Sequence, residues 1–351
     1  MIVARKTTVE KTAVVLLNLG GPLKESDIRP FLFSFFRDEN VITAPNPLRF
    51  LIALWIAVTR SKGAAKDSYA HLGGKSPLLE NTEAQARALE AELQKTNPAA
   101  KVFIAMRHWH PRSFETAAAV AAFQPDKIVL LPLYPQYSTT TTLSAFQDWD
   151  RAAEKAGLAC VPSQRVCCYP ENEGFVAASA EKILETLTRA KGQKIRLLFS
   201  AHGLPEKIIQ SGDPYQKQIE RTAAAIVRKI DIPGLDWQVC YQSRVGRLKW
   251  IGPPIDEALR KAADDKTGVA VYPLAFVSEH VETLVELDIE YLHRAAALGI
   301  GAYLRVPAVG DHPRFIAGLK NLVLSDVKED VLPDGAPQAC GARCYCKEKK
   351  K

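Results

Sequence analysis

Short apolar runs alternate with alanine-rich stretches of helical spacing along most of the chain. Residues 14–19, 102–107, 128–133, 197–199 and 269–276 read as buried strands, while 83–93, 116–123, 175–187 and 216–230 repeat apolar positions at the helical period. Strands apolar on both faces, separated by helices, predict an α/β fold of parallel sheets flanked by helices. The pattern also occurs twice. Val14 to Pro22 corresponds to Arg196 to Pro205, Val102 to Arg107 to Trp237 to Gln242, and Ile128 to Leu133 to Val269 to Leu274. Two similar lobes with a cleft between them follow, expected over 1–170 and 171–330, with a tail from 331 to 351.

The halves differ in one place. Pro22 and Arg107 are 85 positions apart, whereas Pro205 and Gln242 are 37 apart, so the first half carries 48 extra residues, about 23–76. This insert holds Phe31, Phe33, Phe35 and Phe36 and the apolar run 48–58, with Arg29, Arg37, Arg49 and Arg60 among them. It reads as a helical hairpin packed on the lobe and, compatibly, as an apolar lip edged with cations, able to cover a large flat ligand or rest on a membrane.

With 351 residues and 47% hydrophobic content, the chain can bury a large core. The run 48–58 is too short to span a bilayer as a helix, and residues 1–11 do not resemble an export signal. The net charge of +7 suits an anionic ligand or membrane surface but comes from scattered lysines and arginines, with no aromatic-interleaved stripe of the nucleic-acid kind. Seven cysteines without an export signal argue for a reducing, cytoplasmic location rather than a disulfide framework.

Two strand ends carry candidate chemistry. In Ser278 to Tyr291, His280 precedes Glu282, Glu286 and Glu290, three acids at four-residue spacing just past the strand 269–276. Like charges so spaced repel on a helix. A solvated acidic stripe favoured by the helix dipole would account for them alone. His202 changes that balance, because Ser200-Ala201-His202-Gly203 ends another strand, and strand ends are where α/β sheets bind ligands. Imidazole and carboxylates facing each other across a cleft suit divalent cation binding and proton acceptance. Gly73-Gly74-Lys75-Ser76 imitates a phosphate loop, but Tyr69 stands where its first glycine is needed, and neither G-x-G-x-x-G nor G-x-S-x-G occurs.

At these residues the chain closely resembles the ferrochelatase family. The matching pieces are Leu17 to Pro22, Gly73 to Pro77, Tyr134 to Ser138, Ser200 to Pro205, Gly212 to Tyr215, Tyr241 to Gly246 and Ser278 to Tyr291, in the family's order over roughly residues 12 to 310. The resemblance implies two Rossmann-like lobes around a porphyrin cleft, and insertion of Fe²⁺ into protoporphyrin IX as the last step of protohaem synthesis. It implies a lyase needing no cofactor for its chemistry, with porphyrin and ferrous iron as ligands. It also implies association of the lip with the inner membrane and an upstream oxidase of the pathway as partner.

Carried over residue by residue, the family's essential histidine falls on His202 and its essential glutamate on Glu282, the pair linked to Fe²⁺ and to removal of pyrrole protons. His280 and Glu286 match neighbours proposed to relay protons or metal. Leu19 falls where a side chain meets the macrocycle, and Arg107 and His108 match a pair on the opposite wall, at a position that varies between tyrosine and histidine.

Cys340, Cys344 and Cys346 crowd the tail. Some ferrochelatases hold a [2Fe-2S] cluster on such an extension, and the resemblance extends that expectation to these thiols. Three ligands are one short of an all-thiolate site. In the animal form the fourth cysteine directly follows Tyr-Pro-Gln-Tyr-Ser, where this chain has Thr139, leaving Cys160, Cys167 and Cys168 as substitutes. A zinc site, redox-active thiols and a disordered tail are the alternatives. For the whole chain, they are a chelatase for another tetrapyrrole, such as coproporphyrin, and a non-catalytic haem or porphyrin carrier.

Overall fold

A computed structural model describes residues 10–325 except 245 and 247, together with the backbone of 330–331 and 337–338. The first sheet contains β1 (Thr12–Asn18), β2 (Lys101–Met106), β3 (Lys127–Pro132) and β4 (Ser163–Arg165), parallel and in the order β2-β1-β3-β4. Short segments at Pro337–Gln338 and Asp330–Val331 extend it beyond β4. The second sheet repeats the arrangement with β5 (Ile195–His202), β6 (Trp237–Gln242), β7 (Gly268–Pro273) and β8 (Tyr303–Arg305), in the order β6-β5-β7-β8.

The repetition extends to register. Leu17 pairs with Pro132 as Ser200 pairs with Pro273, and the next residue of each outer strand, Leu133 or Leu274, donates its N–H to the Leu17 or Ser200 carbonyl at 2.8 Å. Counting two residues onward makes Leu19 the counterpart of His202. The short strands β4 and β8 lie outside the strand-like runs of the sequence, being too brief for periodicity to mark.

Both faces of each sheet are covered, which is why the strands read as continuous apolar runs. Ala13, Val15 and Leu17 face one core of the first sheet, and Val14 and Leu16 the other. The helix Pro313–Leu324 follows the second sheet in sequence, yet its Phe315, Ile316, Leu319 and Val323 pack into the first sheet's core. The helix Glu173–Leu187 serves both, with Phe175 and Ala178 in the first core and Val176, Ala180 and Ile183 in the second. Those two helices approach closely because Gly174 and Gly318 meet at the crossing, where a methyl group on Gly174 would lie 2.8 Å from the Gly318 Cα.

The insert forms the helices Ile28–Phe36, Asn46–Arg60 and Ala64–Ala70. The first two make a hairpin in which Phe33 and Phe50 stack edge to face at 5.3 Å. Ile28, Phe31, Leu32, Ala57 and Tyr69 gather around Trp109 of the first lobe, with Val281 of the second packed against them. The insert therefore bridges both walls beside Glu282.

Candidate active site

His202 is the last residue of β5 and pairs in register with Gln242, the last of β6. Its Nδ1 lies 2.6 Å from the Gly203 carbonyl. A carbonyl can only accept, so the hydrogen sits on Nδ1, and in the neutral ring the lone pair is on Nε2. That Nε2 is 3.8 Å from Glu282 Oε2. The Tyr215 hydroxyl donates to the His202 carbonyl at 3.1 Å and steadies the strand end.

The acids arise from Glu282–Glu290, a π-helical segment in which the Tyr291 N–H reaches back five residues to the Glu286 carbonyl. The wider coil inserts extra backbone per turn, an arrangement that recurs at functional sites. Residues four apart still share a face, so Glu282 and Glu286 turn the same way. Glu290 lies toward solvent, 3.9 Å from Arg294. His280 stands just before this segment, buried, with Nδ1 3.3 Å from the Ser278 carbonyl and Nε2 3.8 Å from the same Oε2 of Glu282. Two imidazole nitrogens thus converge on one carboxylate oxygen. Among the described residues, no three or more His, Cys, Asp or Glu side chains are already arranged at metal-holding distance.

Protonation differs sharply along the segment. Burial pushes the Glu282 carboxyl up, but the His202 charge and the His280 hydrogen bond and charge outweigh it, bringing it down to about 2. Glu286 is pushed up to about 7, first by burial and then by the Glu282 charge, against the opposing pull of Ser243, His202 and Gln242. Near neutrality one carboxylate is ionised and the next exchanges a proton.

In the first lobe Leu19, the counterpart of His202, is partly exposed beyond the end of β1. Arg107 and His108 follow β2, and their N–H groups donate to the Asn18 and Leu19 carbonyls at 2.8 and 3.0 Å. Arg107 pairs with buried Asp38 at 2.8 Å and donates to Ser144 Oγ at 2.7 Å. His108 is fully buried against Phe35, and burial together with the Arg107 charge drives its imidazole down to about 3, so it stays neutral. Asp38 is held below the usual range because Arg107, Ser144 and the Asn40 N–H outweigh its burial. The aspartate sits just past the helix Ile28–Phe36 and ties the insert to the first lobe.

Two contacts, the first between the lobes and the other inside the second lobe, are not marked by the sequence as site features. Asp213 accepts at 3.0 Å from Ser138 Oγ and, through the same oxygen, from the Thr139 N–H and Oγ at 2.7 and 2.8 Å. Gln242 and Ser243 both reach Glu286. These residues lie within the motifs already quoted, but their partners lie tens of residues away in sequence. Cys160 is exposed, whereas Cys167 and Cys168 are buried in the first lobe. The tail thiols Cys340, Cys344 and Cys346 lie outside the described residues.

Comparison with known proteins bears on the fold and the family. SirB from Bacillus subtilis, solved with Fe³⁺, superposes with a TM-score of 0.50 at 13% identity over 89% of this chain and 93% of that one, which shows a shared fold. DR2241 from Deinococcus radiodurans, described as similar to chelatases, gives 0.50 at 15% identity over 91% of this chain and 56% of its own. In sequence the chain is 53% identical to the ferrochelatase of Caulobacter vibrioides (strain NA1000 / CB15N) over 95% of both chains. It is 50% identical to that of Phenylobacterium zucineum over 96% of this chain and 98% of the relative. The ferrochelatase family model matches residues 11–327, and with these relatives along nearly its whole length, this chain belongs to the ferrochelatase family.

Proposed function

We propose that the chain carries out its family's reaction, insertion of ferrous iron into a porphyrin during haem synthesis, at the cluster of His202, His280, Glu282 and Glu286. It is a lyase of this class, with porphyrin and Fe²⁺ as substrates. The observation that carries the assignment is the His202–Glu282 pair, in which a lone pair held on Nε2 by the Nδ1 hydrogen bond faces an ionised carboxylate 3.8 Å away.

Metalation removes two pyrrole N–H protons while a hydrated cation sheds water. His202 Nε2, the ring nitrogen left free when Nδ1 holds its hydrogen on the Gly203 carbonyl, is placed to take the first proton. Glu282, kept ionised, attracts Fe²⁺ and offers hard oxygen beside imidazole nitrogen, a donor set that suits ferrous iron. His280 steadies the Glu282 carboxylate, which also accepts the second proton, and Glu286, titrating close to neutrality, takes that proton onward. On the other wall Leu19 presses on the macrocycle, and binding energy from the rest of the ring sustains the bend that exposes its nitrogens. Arg107 and His108 shape that wall.

The substrate we infer is protoporphyrin IX. Anaerobic loss of protoporphyrin fluorescence on adding Fe²⁺, with coproporphyrin run in parallel and His202→Ala beside the wild type, tests both substrate and base. Rapid loss with protoporphyrin in wild type alone is expected. A His202→Ala variant of normal fold and undiminished turnover would refute the base, and preference for coproporphyrin would refute the substrate.

Two further readings stand with this one. The helix Asn46–Arg60 exposes Leu48, Leu51 and Trp55 at helical spacing, which suits insertion into the inner face of a cytoplasmic membrane beside the oxidase that supplies porphyrin. No helix among the described residues is long and apolar enough to cross a membrane. Cys340, Cys344 and Cys346 would hold a [2Fe-2S] cluster with one thiol from the body. Exposed Cys160 fits that role better than Cys167 or Cys168, whose recruitment would open the core. Iron and sulfide analysis of anaerobically purified wild type and Cys160→Ser checks this, with loss of both elements in the variant expected.

A further inference from the structure

Gln242 and Ser243 take no part in the chemistry above, yet both join His202's strand to the segment that carries the acids. In the main chain, Gln242 pairs with His202, and its carbonyl accepts from the Gly203 N–H at 2.9 Å. Its fully buried side chain accepts from Ser200 Oγ at 2.7 Å. The Nε2 then donates to the Glu282 carbonyl at 2.9 Å and to Glu286 Oε2 at 3.2 Å. Ser243 Oγ donates to the same Oε2 at 2.7 Å. Its backbone has φ of 61°, in the left-handed region where serine is disfavoured, and such strain clusters at functional sites. Two donors on one oxygen fix both the plane of a carboxylate and the oxygen it turns to the cleft.

We propose that Gln242 and Ser243 are positioning residues that hold the Glu286 carboxylate in a set orientation beside Glu282, so that a proton leaving the porphyrin meets an acceptor already in place. The inference rests on the role proposed for Glu286. Ser243 is the residue to test, because Gln242 is too deeply buried for a clean substitution. Ser243→Ala removes the donor and leaves the strain. Ser243→Gly removes the donor and relieves the strain, so it should melt at a higher temperature than the alanine variant.

Steady-state assays of Ser243→Ala, Ser243→Gly and Glu286→Gln, with melting temperatures, form the experiment. Both Ser243 variants are expected to lose about tenfold in kcat with an unchanged porphyrin KM, the glycine variant losing activity while gaining stability over alanine. That combination is not produced by a residue that only supports the fold. If Glu286→Gln slows turnover and Ser243→Gly does not, positioning is refuted and the reading of Glu286 survives. If Glu286→Gln turns over normally, the reading of Glu286 fails and this inference with it. A raised KM at constant kcat in the Ser243 variants would make Ser243 a substrate contact and overturn the proposal.

Discussion

Glu282 and Glu286, four residues apart on one π-helical segment, titrate at about 2 and about 7. The separation has a simple cause. Glu282 is held down by two imidazoles against its burial, whereas Glu286 is raised first by burial and then by the Glu282 charge. A carboxylate ionised at neutrality and one that exchanges a proton there are thereby placed side by side.

This split predicts a pH dependence of stability. The Glu286 carboxyl titrates at about 7 in the fold against 4.5 ordinarily, so between those values the folded state keeps a proton that the unfolded chain has released. Stability therefore falls as pH rises through that window and levels off above it, by up to about 3 kcal/mol. Glu282 acts in the opposite sense and elsewhere, adding stability above 4.5 that is lost as pH falls towards 2. Urea unfolding at pH 5 and pH 8 should show a smaller drop in Glu286→Gln than in wild type.

Asp213 joins the lobes at the mouth of the second π-helical segment, Thr139–Leu143, where a carboxylate meets N-terminal donors. Asp213→Ala orphans four donors, the Ser138 hydroxyl, the Thr139 N–H and hydroxyl and the Tyr215 N–H, and should cost about 3 kcal/mol. Asp213→Asn keeps an acceptor and should cost less. Denaturant midpoints of the two variants provide the ranking, and equal losses would show that charge rather than geometry matters.

Gly174 allows two helices to cross at backbone contact. A methyl group there meets the Arg314 carbonyl and the Gly318 Cα, neither of which can swing aside as a side chain would. Gly174→Ala should destabilise the fold by about 2 kcal/mol or more, read as a lowered melting temperature.

Leu51 and Trp55 are 62% and 68% exposed on the insert, so replacing them removes little packing. Leu51→Glu with Trp55→Glu should lower flotation with anionic liposomes at least about tenfold and leave the melting temperature nearly unchanged. Undiminished flotation would assign membrane contact to another surface.

Periodicity and motif spacing were enough for the parallel-sheet class, the duplication and the placement of His202 at a strand end. Those features are local: a buried strand needs apolar residues on both faces, and a duplicated lobe must write them twice. Spacing also put Glu282 and Glu286 on one face, though it could not distinguish an α-helical from a π-helical turn, since four-residue neighbours remain close in both. The three-residue strands Ser163–Arg165 and Tyr303–Arg305 are too short to carry a period.

Tertiary structure decided what depends on residues far apart. The helix Pro313–Leu324 returns to the first sheet because Phe315 and Leu319 find their core there, and a helical period does not name its partner. Burial made His108 neutral beside Arg107, and two imidazoles from different segments set Glu282 far below Glu286. Sequence by itself determined which residues could do the chemistry; the folded arrangement decided how each holds its proton, because desolvation and neighbouring charge act through space and not along the chain.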